Sequence, residues 1–191
     1  MTTPHYLQQV GWDVSRENRL SVDAHNNPVP WITYPAFEFL RRNMDKIHSV
    51  FEYGAGYSTL WWANAGKFVR FVEHDERWFC DIVRQCPANA SGAVLPLGPD
   101  YVNFPNTLDH KFDLVVIDGR LRVECAQVCL GLLTEHGVVL WDNTERPNYA
   151  AGMEFLAQQG LRRVDFWGMG PINSQAWCTS LLYGEYNLFG L

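Results

Sequence analysis

Glu52, Glu73, Asp118 and Asp142 each fall at or just past the end of a short apolar run that reads as a β-strand. In an open α/β sheet the carboxyl ends of the strands form the edge where ligands bind, so four acids placed there describe a binding rim. Gly54 and Gly56 follow the first of these runs and open the next helix. Glycine lets backbone approach a ligand closely, and the free N–H groups of a helix start favour an anion. Glu73 comes about 20 residues after Gly54, the place from which an acid in a nucleotide-binding βαβ unit accepts from ribose hydroxyls. Asp118 and Asp142 are candidates for orienting or deprotonating a substrate hydroxyl. Arg120, Arg122 and Arg146 lie close by in sequence, and guanidinium forks suit a carboxylate or phosphate on an acceptor. The alternative is that they pair with neighbouring acids such as Glu124 and Glu145.

Alternating elements are needed to hold such a rim. The apolar runs predict strands at 49–52, 68–72, 93–95, 112–117 and 137–141. Between them, helical spacing predicts helices over 58–65, after a cap at Asp75, along Leu121–Leu132 and over 150–159. An earlier helix starts near Pro35, with Phe37, Leu40 and Met44 on one face. Strands alternating with helices imply βαβ units around a parallel sheet. The last two strand-like runs, 163–167 and 179–183, are joined by a Gly/Pro-rich loop too short for a crossover helix, so they pair antiparallel. Residues 1–33 read as a polar, turn-rich extension or lid, and 34–191 as the core of one domain. Trp31 and Tyr34 sit where they could close over a ligand. The loop from Gly168 to Asn173 could cover a pocket with Trp177 at its base.

Composition bounds the function. The chain has 191 residues, 47% of them hydrophobic, enough for one domain with its own core. No apolar run is long enough to span a bilayer, so no membrane partner is expected. The first ten residues lack the basic-then-apolar pattern of a secretory signal, which makes the cytoplasm the expected location. Five cysteines with no CxxC pair imply free thiols in a reducing compartment. A formal charge of −6 argues against nucleic acid and for a small-molecule acceptor. A homo-oligomer is compatible with this reading.

The run Phe51-Glu52-Tyr53-Gly54-Ala55-Gly56 resembles the E-x-G-x-G motif of class I S-adenosylmethionine-dependent methyltransferases. It differs from the dinucleotide-binding pattern, which wants a third glycine where this chain has Thr59, and this disfavours a nicotinamide dehydrogenase. Val72-Glu73-His74-Asp75, Ile117-Asp118-Gly119 and Leu140-Trp141-Asp142-Asn143 are similar to the ends of the family's second, fourth and fifth strands. The resemblance implies an α/β, Rossmann-like doubly wound sheet of about seven strands, mostly parallel with an antiparallel C-terminal strand, that binds S-adenosylmethionine (SAM). It implies cofactor contacts from Glu52, Gly54, Gly56, Ser58, Thr59, Glu73, His74 and Asp118, with Leu97-Gly98 flanking adenine. Asp118, Asp142 and Asn143 also resemble the metal-binding set of the catechol-type O-methyltransferases, hard oxygen ligands of the kind Mg2+ or Ca2+ requires. The lysine that those enzymes carry after the first aspartate is replaced here by Gly119-Arg120-Leu121-Arg122. The function expected is methyl transfer to a hydroxyl of a polar or anionic small molecule, with Asn143 and the arginines at the acceptor. The alternative is a methyltransferase-like protein that binds a nucleotide-like ligand or a partner protein without catalysis.

Overall fold

A computed structural model describes residues 5–191. Its strands are β1 (Ser49–Tyr53), β2 (Phe68–Glu73), β3 (Ala90–Val94), β4 (Phe112–Ile117), β5 (Leu133–Asp142), β6 (Arg162–Gly168) and β7 (Trp177–Tyr183). They form one sheet in the order β3-β2-β1-β4-β5-β7-β6. The first five pair in parallel, while β7 runs antiparallel to both β5 and β6. The α-helices are α1 (Tyr6–Gln9), α2 (Trp12–Asn18), α3 (Tyr34–Arg42), α4 (Tyr57–Asn64), α5 (Glu76–Val83), α6 (Pro99–Asn103), α7 (Arg122–Cys129) and α8 (Ala150–Gln158). No helix among the described residues is long and apolar enough to cross a membrane.

The central strands are buried on both faces, which is why they read as continuous apolar runs. Alternate residues build two cores. Val50, Leu114, Val116, Val138 and Leu140 pack with Phe37 and Leu40 of α3 and Trp62 of α4. Phe51, Tyr53, Val115, Ile117 and Trp141 pack on the other side with Cys125 and Cys129 of α7 and Leu156 of α8. All five cysteines are free, three of them buried as small apolar groups.

Three local expectations change. Strand β5 begins at Leu133, earlier than the apolar run suggests, because its polar first half is held by a register shift opposite Phe112 and Leu114. Gly137 permits that approach, since a Cβ there would meet the Phe112 carbonyl at 2.8 Å. Strand β3 begins at Ala90 and ends at Val94, with Glu73 opposite its last residue. The N-terminal segment holds two short helices and is fastened to the sheet. The Trp12 indole donates to the Asn173 carbonyl at 2.9 Å, the Thr33 hydroxyl to the Phe166 carbonyl at 3.0 Å, and the Tyr34 N–H to the Met169 carbonyl at 2.7 Å.

The sheet order reverses between β1 and β4, where a crevice opens at the carboxyl ends of the strands. Gly54 sits there at φ +92°, and a Cβ on it would meet the Gly119 Cα at 2.9 Å. Both the left-handed backbone and the contact with the turn after β4 require glycine. Gly54→Ala is expected to destabilise the fold by about 1–3 kcal/mol, read as a lower urea midpoint, whereas Gly66→Ala, with open space around it, should cost less.

Candidate functional site

Over the β1/β4 reversal lies a cavity of about 600 Å³, and Glu52, Glu73, Asp118 and Asp142 all line it. The four acids predicted from separate strands therefore converge. The turn after β1 is held from the β2 side. Glu73 Oε2 accepts from the Ala55 N–H at 3.0 Å, and its Oε1 accepts from the N–H groups of His74 and Asp75 at 2.7 and 2.9 Å. A carboxylate offers about four acceptor positions, so Glu73 keeps capacity on Oε2 for a ligand hydroxyl. His74 Nδ1 lies 2.6 Å from Glu73 Oε1 without hydrogen-bonding geometry. Asp75 caps α5 by accepting from the Trp78 N–H, and the Trp78 indole donates to the Ala55 carbonyl at 2.6 Å.

Glu52 is buried below this turn. Its Oε2 accepts from the Thr59 hydroxyl at 2.5 Å and its Oε1 from the Trp62 indole at 3.2 Å, tying β1 to the first turns of α4. The Thr59 hydroxyl in turn accepts from the Gly56 N–H. Burial pushes the Glu52 carboxyl up to about 7, against the pull of its hydrogen bonds.

On the other side, Arg122 joins the ends of β4 and β5. Its Nε donates to the Gly119 carbonyl, its Nη1 to the Asp142 carbonyl and Asn143 Oδ1, and its Nη2 to the carbonyl and Oδ1 of Asp118. These contacts match the five N–H groups that a guanidinium carries. Asp142 is buried, and its Oδ1 accepts from the Trp177 indole at 2.9 Å and the Thr179 hydroxyl at 2.5 Å. Its Oδ2 makes no hydrogen bond among the described residues. Burial pushes the Asp142 carboxyl well above the usual range, and the Asp118 charge adds to this. Asp118 is also raised by burial, with Arg122 opposing.

No family model and no curated protein matches the sequence. Solved structures do match in shape. An O-methyltransferase from Bacillus cereus in complex with SAH aligns at TM-score 0.61 and 16% identity, over 95% of this chain and 93% of that one. A methyltransferase-like protein from Silicibacter pomeroyi aligns at TM-score 0.58 and 21% identity, over 82% and 89% of the two chains. An rRNA methylase from Streptococcus thermophilus aligns at TM-score 0.58 and 13% identity, over 81% and 99%. The fold is that of the SAM-dependent methyltransferases. Because an rRNA methylase shares it, the methyltransferase fold does not by itself separate small acceptors from nucleic acid.

Within this methyltransferase fold, Gly54, Gly56, Ser58, His74, Arg120, Arg122, Asn143 and Arg146 join the four acids around the cavity. Thr59 and Gly98 are not among the lining residues. Thr59 is fully buried against Glu52, and Gly98 caps α6. Tyr34 belongs to the core, whereas Trp31 lines the cavity and is exposed. Sequence reasoning missed Arg19, Leu20, Ser21 and Trp78, which also line it. Trp78 had a signal, three positions past the Asp75 cap; the other three lie in a segment whose pattern gives none.

Oxygens of the expected metal set are taken up by protein partners. Among the described residues no group of three His, Cys, Asp or Glu side chains is disposed to hold a metal either. Asp118 Oδ1 and Asn143 Oδ1 converge instead on the Arg122 guanidinium, and Asp142 turns its backbone carbonyl there and its Oδ1 toward Trp177. The Arg122 guanidinium already pairs with Asp118 there. Arg122 is equally committed against the substrate-anion role suggested by sequence.

Two predictions follow from these contacts. Arg122→Ala strands an acid and three carbonyls, so it should lower unfolding free energy by more than about 2 kcal/mol, while added Mg2+ leaves the wild-type midpoint unchanged. Glu52, raised from its ordinary 4.5 to about 7, favours the fold while protonated. That contribution is complete below 4.5 and is lost as pH rises through 7. Glu52→Gln should therefore gain stability relative to wild type across that window, measured by urea titration at each pH.

Proposed function

We propose that the chain is a SAM-dependent methyltransferase acting on a hydroxyl of a small molecule. The observation that carries this reading is the meeting of Glu52, Glu73, Asp118 and Asp142 around one cavity at the sheet reversal of a methyltransferase fold. The residues present fit the cofactor. Glu73 has acceptor capacity for a ribose hydroxyl, the Gly54–Gly56 turn leaves backbone accessible, and the N-terminal end of α4 at Ser58 suits a carboxylate. When bound, SAM supplies a methyl group on a sulfonium, released to an acceptor lone pair as the sulfur takes back the bonding electrons.

The chain's own residues then have two tasks, alignment and management of a proton. Trp177 and Thr179 hold Asp142 Oδ1, which fixes the carboxylate plane and leaves Oδ2 to take the proton of the acceptor hydroxyl. Burial makes that carboxyl a stronger base than an exposed aspartate. Arg122 pairs with Asp118 at the rim and opposes the effect of burial on its carboxyl, which would favour a cationic ligand there.

Calorimetry with SAH on folded protein tests the reading. SAH should bind, and Glu73→Ala should weaken it by about tenfold, as expected for one charge-assisted hydrogen bond. Asp142→Asn should retain SAH binding and lose methyl transfer. No heat with SAH or SAM on folded protein contradicts the proposal, and binding with no acceptor turnover in any assay supports the non-catalytic alternative.

A further inference from the structure

Both signs of charge line the cavity. Glu52, Glu73, Asp75, Asp118 and Asp142 line it from the ends of β1, β2, β4 and β5 and the turn after β2, and beside the committed Arg122 three more arginines, Arg19, Arg120 and Arg146, line it from the N-terminal segment, the turn after β4 and the turn after β5. The Arg19 and Arg120 guanidiniums make no hydrogen bond or ion pair among the described residues. Arg146 reaches Glu145 only through Nε at 3.7 Å. Three arginines without a close carboxylate partner thus line one cavity in a chain of formal charge −6, each a point of positive charge that an anion could meet.

A second observation points to a ligand at the same place. The Ser21 hydroxyl is buried in the cavity wall with no hydrogen-bond partner. A buried hydroxyl without a partner is costly, and a small shift of the Ser21 side chain in this wall would let a ligand supply one. Its segment is built rather than loose. Ser15, itself buried, donates to the Val22 carbonyl at 2.5 Å and accepts from the Val22 N–H at 3.1 Å. The N–H of Val29 donates to the Ser21 carbonyl at 3.0 Å. Arg19 holds a left-handed backbone at φ 55°, as do Asn143 at φ 61° and Ile172 at φ 71°, which line the same cavity. Non-glycine residues at positive φ cluster at ligand sites, and for a β-branched residue such as Ile172 the conformation is an outlier.

Resting on the methyl-transfer reading, we propose that the methyl acceptor is a small anion whose carboxylate or phosphate is bound by Arg19, Arg120 and Arg146, with Ser21 hydrogen-bonding the same molecule. The N-terminal segment thus supplies part of the acceptor site. A small acceptor is favoured over a polyanion because the arginines share a cavity of about 600 Å³ with Leu20, Trp31 and Trp177, and the chain's net charge is unfavourable to nucleic acid.

The test is calorimetry on the full chain with benzoate and with phenyl phosphate, each with and without saturating SAH, and with benzyl alcohol as the neutral comparison. Saturable binding of one acid probe and none of the alcohol is expected, and the stronger probe identifies the head group. Arg19→Gln, Arg120→Gln and Arg146→Gln should each weaken that probe by about tenfold, and Ser21→Ala by about threefold. Arg42→Gln, an exposed control on α3, should not weaken it, and SAH affinity should stay unchanged in all variants. Absence of saturable binding by either acid overturns the proposal, as does equal loss in Arg42→Gln. A single-stranded RNA that binds more tightly than both probes and loses affinity in the same three variants overturns it in favour of nucleic acid. If the probes follow the expected pattern while SAH fails to bind, the anion site stands and the methyl-transfer reading falls.

Discussion

The Arg122 guanidinium gathers the carbonyls of Asp118, Gly119 and Asp142 and the side chains of Asp118 and Asn143, and with them the ends of two neighbouring strands. Strand ends leave backbone acceptors exposed, and two acids brought near one another at such ends repel unless a cation sits between them. Here it is a side chain anchored at the first turn of α7, packed near the Tyr149 ring. The acids at the rim can therefore lie close together without an external ion. The shape of the crevice above β4 and β5 is fixed by the covalent chain.

That arrangement leaves the cavity with two characters. Next to β1 and β2, Glu73 and Trp78 clamp the glycine turn, so the backbone that would face an adenosyl ligand is already in place. Such preorganisation reduces the ordering cost of binding. Toward β5 and β7, Asp142 is shielded by Trp177 and Thr179, a setting in which a carboxyl holds its proton more tightly and so accepts one more readily from a hydroxyl. The acids of the lining suit a cationic sulfur, and its arginines without a close carboxylate partner suit the anionic acceptor proposed.

Much of the framework was legible because its physics is local. Apolar runs such as Phe112–Ile117 are buried on both faces, and acids at their ends mark where burial stops. The Asp75 cap could be read from residue type and position alone. What escaped depends on partners distant in sequence. The first half of β5 is polar and is a strand only because β4 lies beside it. Helices α1 and α2 are too short to persist alone and hold through contacts such as Trp12 with Asn173. Thr59 read as a ligand residue from its place at a helix start, but the side chain turns inward to Glu52. Arg122 read as free to meet substrate, although its position four residues after Asp118 allowed the ion pair that engages it.

The most direct test of the account is a crystal structure of the protein with SAH. The account places the ribose hydroxyls at about 2.6–3.2 Å from Glu73, with the sulfur over the Gly54 turn and facing Asp142 across the cavity. SAH density at another edge of the sheet, with Glu73 still engaged only by the N–H groups of Ala55, His74 and Asp75, would contradict it.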